Sequence, residues 1–191
     1  MKLIDSLKER FLFFITGIKD HSQVVSFFPS SDSLSEAMLR DIDFDKAKVI
    51  LEYGPGTGTF TRVMLKRGRP DLKIIGFELN KTFHDYLLKN INDARFECIN
   101  DSAENSIDYL KKHNITQVDY IISSLPFSHI PENIKVNILR NANKILNGHG
   151  SFNHYRYNSR FVEELKNYFS QVEMKPVWMN LPPAYVYTGR N

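Results

Sequence analysis

From residue 47 onward, short apolar runs rich in β-branched residues alternate with longer stretches in which apolar positions recur at helical spacing. The short runs predict strands near 47–53, 73–78, 94–99, 118–123, 150–156, 172–178 and 184–188. The longer stretches predict helices at about 57–67, 80–91, 104–113, 131–146 and 158–169. Alternation of this kind builds an α/β fold around a mainly parallel sheet. The interval between the last two strands is too short for a helix, so Asn180-Leu-Pro-Pro183 is expected to turn the chain back as an antiparallel hairpin at the sheet edge. Residues 1–46 stand apart as a helical annex to a core of residues 47–191. Ser30-Ser-Asp-Ser33 offers caps for an annex helix reaching about Arg40.

Within the annex, Leu3, Leu7, Phe11, Phe14 and Ile18 fall on one face of a helix, with Lys2, Lys8, Arg10 and Lys19 outside the stripe. Such a helix either folds over its own domain or lies in a bilayer interface. Composition adds bounds rather than a partner. The 191 residues, 42% hydrophobic and 25% charged, suit one domain able to close its own core. A single cysteine, Cys98, rules out an internal disulfide, and no Cys/His cluster has zinc-ligand spacing, so no metal is expected and the cytoplasm is the expected compartment. Charges at Lys2, Asp5, Lys8, Glu9 and Arg10 interrupt any secretory apolar region. No run approaches the roughly 20 apolar residues of a membrane-spanning helix. The formal charge of +3 is compatible with an anionic membrane or with nucleic acid and demands neither.

The chemistry concentrates at the ends of the first three predicted strands. Val49 to Phe60 reads as a buried strand, a glycine turn and a helix start, and Gly54, Gly56 and Gly58 let the backbone approach a ligand closely. Glu78 ends the second strand, where a carboxylate can accept hydrogen bonds from ribose hydroxyls. Asp101 follows the third, where it can meet an adenine amino group. A glycine turn alone is also an ordinary strand-to-helix connection, and a lone acid is more often a surface or capping group. Three such elements on successive strands form the crevice of an open α/β sheet. The third glycine comes two residues after the second, whereas the dinucleotide fingerprint places it three after, which counts against a nicotinamide cofactor.

With Glu52, these glycines resemble the E-x-G-x-G-x-G motif of class I S-adenosylmethionine-dependent methyltransferases. Phe28-Pro-Ser-Ser31, Ser124-Leu-Pro-Phe127 and Asn180-Leu-Pro-Pro-Ala-Tyr-Val-Tyr187 narrow the resemblance to the bacterial phospholipid N-methyltransferases, over roughly residues 24–189. The resemblance implies a Rossmann-like sheet of seven strands with a C-terminal antiparallel hairpin. It also implies S-adenosylmethionine as cofactor and stepwise methylation of phosphatidylethanolamine towards phosphatidylcholine. Ser30, Ser31, Glu52, Gly54, Gly56, Gly58, Glu78, Asp101 and Ser102 are then the expected cofactor contacts, with Glu52 near the cofactor's amino group.

Ser124, Phe127 and Tyr157 are the candidate catalytic residues, and His129, Tyr155, Arg156, Tyr185 and Tyr187 the candidate substrate contacts. A lipid ammonium must lose a proton before it attacks, and His129, His154, Tyr155 and Tyr157 are the side chains considered for that task. The family places the protein at the inner membrane face, its N-terminal helix on anionic lipid, and nucleic acid is not an expected partner. Ser124 stands where amine-methylating enzymes often carry Asn or Asp, which argues against adenine chemistry. The alternatives on the same cofactor site are a ribosomal RNA adenine or a small-molecule N-methyltransferase, and beyond them a non-catalytic binding module. The related RNA branch usually carries a further helical domain.

Overall fold

A computed structural model describes residues 31–180 and 183–191, the side chains of residues 31 and 32 excepted. The amphipathic segment at 1–19, Phe28–Ser30 and the Leu181–Pro182 step of the C-terminal motif lie outside the described residues, as does the side chain of Ser31.

Seven strands form one sheet: β1 (Val49–Tyr53), β2 (Lys73–Phe77), β3 (Phe96–Ile99), β4 (Tyr120–Ser123), β5 (Ser151–Arg156), β6 (Gln171–Val177) and β7 (Ala184–Arg190). Their order is β3-β2-β1-β4-β5-β7-β6. The first five run parallel, and β7 is antiparallel to both of its neighbours. This is the class I methyltransferase arrangement expected from the alternating pattern. Within the hairpin at the sheet edge, β7 inserts between β5 and β6, leaving β6 outermost. Pro176, which has no N–H to give a second neighbour, lies in that edge strand.

Among the described residues, six helices pack on the sheet: α1 (Ser31–Leu39), α2 (Thr59–Arg67), α3 (Lys81–Asn90), α4 (Ser106–Lys112), α5 (Glu132–Leu146) and α6 (Val162–Leu165). The strands alternate between two cores, as period-2 geometry requires. Ile50, Ile74 and Ile122 join Met38, Leu39, Met64 and Leu65 on one face. Leu51, Ile75 and Ile121 join Ile138, Leu139, Phe161 and Phe169 on the other.

The helix expected over 158–169 shrinks to the four residues of α6. Phe161, Leu165 and Phe169 do share a face and enter the core. Past Leu165, however, Asn167 and Tyr168 donate to carbonyls only three residues back, tightening the chain so that Phe169 packs against Phe152 and over Gly189.

β1 has β2 on one side and β4 on the other, so the chain reverses its winding there. In an open α/β sheet that reversal opens a crevice at the carboxyl ends of the strands.

Candidate active site

The loop leaving β1 enters this crevice. Gly54, Gly56 and Gly58 all have positive φ, which L side chains adopt only under strain. A Cβ on Gly56 would meet nothing within 4 Å, so the loop presents bare backbone to open space there. Gly58 is enclosed instead: a Cβ would lie 2.7 Å from Ile91 Cδ1 and 2.9 Å from Leu87 Cδ2.

Two carboxylates flank the loop. Glu52 is fully buried at the end of β1, on the face covered by α2. Thr61 donates its hydroxyl to Glu52 Oε2 at 2.6 Å, while Glu52 Oε1 has no hydrogen-bond partner. Burial, reinforced by the nearby charge of Glu78, pushes this carboxyl up to about 7 against the opposing Thr61 hydrogen bond. Glu78, almost as buried, braces the loop: Gly56 N–H donates to Oε2 and Asn80 N–H to Oε1, both at 2.9 Å. Burial raises its carboxyl as well, and those two amides oppose the shift.

Two neighbouring buried acids, one with an orphaned oxygen, beside bare backbone make an environment that a cationic ligand relieves. The donor set therefore fits S-adenosylmethionine, which carries an ammonium and a sulfonium. Glu52 and the glycine loop would hold the methionine part, and the lone pairs of Glu78 left by its two amide bonds would face the ribose. Leu79, next to Glu78, is an apolar side chain left more than a third exposed at the same crevice.

Asp101 lies past β3, half-buried, its Oδ1 accepting from Ser102 N–H at 2.7 Å and Asn105 Nδ2 at 2.8 Å. Ser102 Oγ accepts from Glu104 N–H and so caps the 3-10 turn Ala103–Asn105. Both therefore shape the loop at the position expected to receive an adenine.

The proposed acceptor side is more divided. Ser124 continues the β1–β4 pairing through its N–H on Tyr53 O, and its buried hydroxyl has no partner. Phe127, expected beside the reacting methyl, is instead buried between His154 and Phe161, with ring centroids at 4.8 and 5.5 Å. Close packing on both sides withdraws its ring from the crevice. Tyr187 is withdrawn for a similar reason: β7 is interior, both of its faces are covered, and the hydroxyl donates to the carbonyl of Asn158. Tyr185 lies two residues towards the start of β7 on the same face and is half-buried.

Tyr155 packs edge-on against Phe60 at the start of α2, and Tyr157, more than half exposed, packs edge-on against Tyr155. Arg156 points to the other face and lies over the Phe161 ring at 4.9 Å. His129 is exposed on the loop after β4, its Nδ1 at 3.1 Å from Ser128 Oγ.

None of the buried candidate bases is tuned to accept a proton near neutrality. His154 hydrogen-bonds Ser123 O through Nδ1, and burial among aromatic rings pushes its imidazole down to about 3, so it stays neutral. Burial pushes Tyr155 up to about 12 and raises Tyr157. Burial thus works against proton uptake at His154 and Tyr155. Tyr157 retains a ring face able to meet a methylated ammonium.

Residue-level reading of the sequence passed over Thr61, Asn80 and Phe60. Thr61 did carry a signal, being a polar residue on the helix face that Met64 and Leu65 bury.

Among the described residues, no group of three His, Cys, Asp or Glu side chains is placed to hold a metal ion, and no helix is long and apolar enough to cross a membrane.

Comparison with known proteins agrees with this geometry. Residues 50–150 match the methyltransferase domain family. Over 193 aligned positions, 96% of this chain and 97% of the relative, the chain is 30% identical to an ornithine lipid N-methyltransferase of Singulisphaera acidiphila. It is 24% identical to the ribosomal RNA small subunit methyltransferase A of Thermotoga petrophila over 67% of its own length and 44% of that protein's. Among solved structures, the Burkholderia thailandensis 1,6-didemethyltoxoflavin-N1-methyltransferase, which holds S-adenosylhomocysteine, superposes with a TM-score of 0.69 at 14% identity, over 93% of this chain and 85% of the other.

Proposed function

Since this chain belongs to the class I S-adenosylmethionine-dependent methyltransferases, we propose that it methylates the amine of a membrane lipid headgroup at the bilayer surface. The full-length alignment with a lipid N-methyltransferase carries this assignment. Phosphatidylethanolamine, methylated in steps towards phosphatidylcholine, is the acceptor favoured by the motifs at 28–31, 124–127 and 180–187. An ornithine lipid is the second reading, favoured by the relative's own substrate. The RNA relative aligns with 67% of this chain and 44% of its own length, and the unpartnered Ser124 hydroxyl offers no carboxamide to hold an adenine amine.

When bound, the cofactor supplies an electrophilic methyl group on sulfur. The protein orients and desolvates the reacting groups. Glu52 Oε1 and the Gly54–Gly58 backbone fix the methionine end, while Glu78, Asp101 and Ser102 receive the nucleoside. Ser124 sits beside the acceptor amine, and Tyr157 and Tyr155 form an aromatic wall on the α2 side. His129, Arg156 and Tyr185 are the remaining headgroup contacts, with the guanidinium facing the anionic part of the lipid. Because burial disfavours proton uptake at His154, Tyr155 and Tyr157, water and the exposed His129 are the acceptors left for the proton that the lipid ammonium sheds before attack. The N-terminal amphipathic segment serves as a peripheral anchor at the inner face of the membrane.

The assignment is tested by incubating purified protein with methyl-labelled S-adenosylmethionine and, in parallel, vesicles containing phosphatidylethanolamine, its monomethyl and dimethyl forms, an ornithine lipid, and unmodified ribosomal RNA. Label in a lipid amine is expected, and the labelled arm identifies the headgroup. Label confined to RNA would overturn the lipid assignment and leave the cofactor site intact.

A further inference from the structure

The hairpin between β6 and β7 ends in a solvent-exposed apolar tip. Asn180 N–H donates to the Val177 carbonyl at 3.2 Å, closing a turn whose two middle residues are Trp178 and Met179. These positions usually hold Gly, Asn, Asp or Pro. Here they carry side chains 70% and 82% exposed, the two most exposed large apolar residues among the described ones.

The strand register places this tip at the same carboxyl edge of the sheet as the glycine loop, on the outermost strand, four strands across from β1. Tyr53, Ser123, His154, Tyr187 and Met174 lie in one row across the sheet, and the glycine loop begins immediately beyond it. Arg156, Tyr185 and Pro176 form a row two residues further towards the carboxyl edge. Trp178 lies four residues past Met174, so along the strand it rises about 13 Å above the level at which the glycine loop starts. Tyr157, with 53% of its surface exposed, is level with the base of that post.

Three stretches that reach the carboxyl edge of the sheet lack acidic residues, while Lys175 at the base of the tip is paired with Asp41 and Glu173. Pro176 to Gly189 contains no charged residue, and neither does Ser124 to Pro131. Ser151 to Val162 contains Arg156 and Arg160 and no acid. Tryptophan prefers the boundary between acyl chains and headgroups, where its ring is buried and its N–H stays wet. Cations beside it favour anionic lipid.

We propose that the Trp178–Met179 tip inserts into the headgroup region of an anionic bilayer and, with Arg156 and Arg160 on lipid phosphates, holds the crevice mouth against the membrane. This inference rests on the lipid reading of the active site. It adds a contact separate from the N-terminal segment and specifies which end of the sheet faces the bilayer.

Trp178 is the chain's single tryptophan, so its fluorescence reports on the tip alone. The full-length protein is mixed with phosphatidylcholine vesicles with and without phosphatidylglycerol, and with brominated lipids as quenchers. Methyl transfer is followed in the same vesicles doped with each lipid amine. The expected result is a blue-shifted emission, quenched by bromines near the headgroup, that requires phosphatidylglycerol. Changing Trp178→Ser and Met179→Ser together is expected to weaken vesicle cosedimentation by at least about tenfold and to leave S-adenosylhomocysteine affinity unchanged.

Emission that stays red and unquenched while the protein sediments with vesicles overturns the inference, whether or not lipid is methylated. A blue shift present without vesicles and lost on dilution assigns the tip to a second copy of the chain and overturns it equally. Quenched Trp178 with no label in any lipid amine supports the docking and overturns the substrate assignment instead.

Discussion

The most consequential side chain in the crevice is Glu52, because its location decides its charge. Burial lifts its carboxyl from the ordinary 4.5 to about 7, so between those values the folded protein holds a proton that the unfolded chain has lost. Its contribution to stability is therefore greatest below about pH 4.5, falls as pH rises towards 7 and levels off beyond. A cationic cofactor favours the ionised form. Calorimetric affinity for S-adenosylhomocysteine, which keeps the ammonium, should accordingly rise up to about pH 7 and then flatten, approaching tenfold per pH unit at the acid end. Glu52→Gln should weaken binding and remove most of that slope; a slope unchanged in the variant would place the titrating group elsewhere. The glycines separate structure from binding in a second test. Gly58→Ala combines positive φ with contacts under 3 Å to Leu87 and Ile91 and should cost about 1–3 kcal/mol in thermal or denaturant unfolding. Gly56→Ala meets no protein atom, so its cost is only the backbone strain of about 1–2 kcal/mol. Its larger effect should be lost cofactor affinity, since the added methyl group occupies the open side of the loop.

At the level of elements, much of the site's rigidity comes from connections that contain no site residue. Arg95, held by both oxygens of Asp93, donates to the carbonyls of Leu65, Gly68 and Arg69 and so closes the C-terminal end of α2. The same helix carries Thr61 on Glu52 and begins at the glycine loop. Arg95→Met leaves those carbonyls to water and removes charge-assisted hydrogen bonds, so the melting temperature should drop by about 4–10 °C. Cofactor affinity measured well below the melting range should change little. A large loss of affinity with unchanged melting would mean that this clamp acts on the site rather than on the helix. Asp119 ties the other end of the sheet, accepting from the N–H groups of Lys48 and Val49 and aligning the starts of β1 and β4 on either side of the crevice.

At the scale of the molecule, the described residues form one sheet with a core on each face, and the cofactor crevice lies where the two halves of the sheet diverge. A ligand bound there touches the ends of β1, β2 and β4 together, so its binding energy is shared by the entire fold. At a concentration one hundred times its dissociation constant, S-adenosylhomocysteine should add about 2.7 kcal/mol of stability. For a domain of this size that shifts the melting temperature upward by about 5–10 °C in a single cooperative transition. Two separate transitions, with only one moved by the ligand, would show that the β5–β7–β6 side unfolds independently of the cofactor half.

The strand succession, the glycine loop and the positions of Glu52, Glu78 and Asp101 can be read along the chain. Each of these rests on short-range physics: period-2 burial, positive φ at glycine and a fixed spacing between strand ends. What those groups touch is set by the packing of distant segments. Thr61 reaches Glu52 from a different element, and Glu78 binds the amide of Gly56 across 22 residues of chain. Phe127 is enclosed by His154 and Phe161, and Tyr187 is buried because β7 lies inside the sheet rather than at its edge. The expected helix after β5 was cut short by the packing of Phe169 on Gly189, a contact between residues 20 positions apart. Hydrogen-bond partners, burial and the proton affinities that follow from them depend on which distant segments meet, and local patterning carries no record of that.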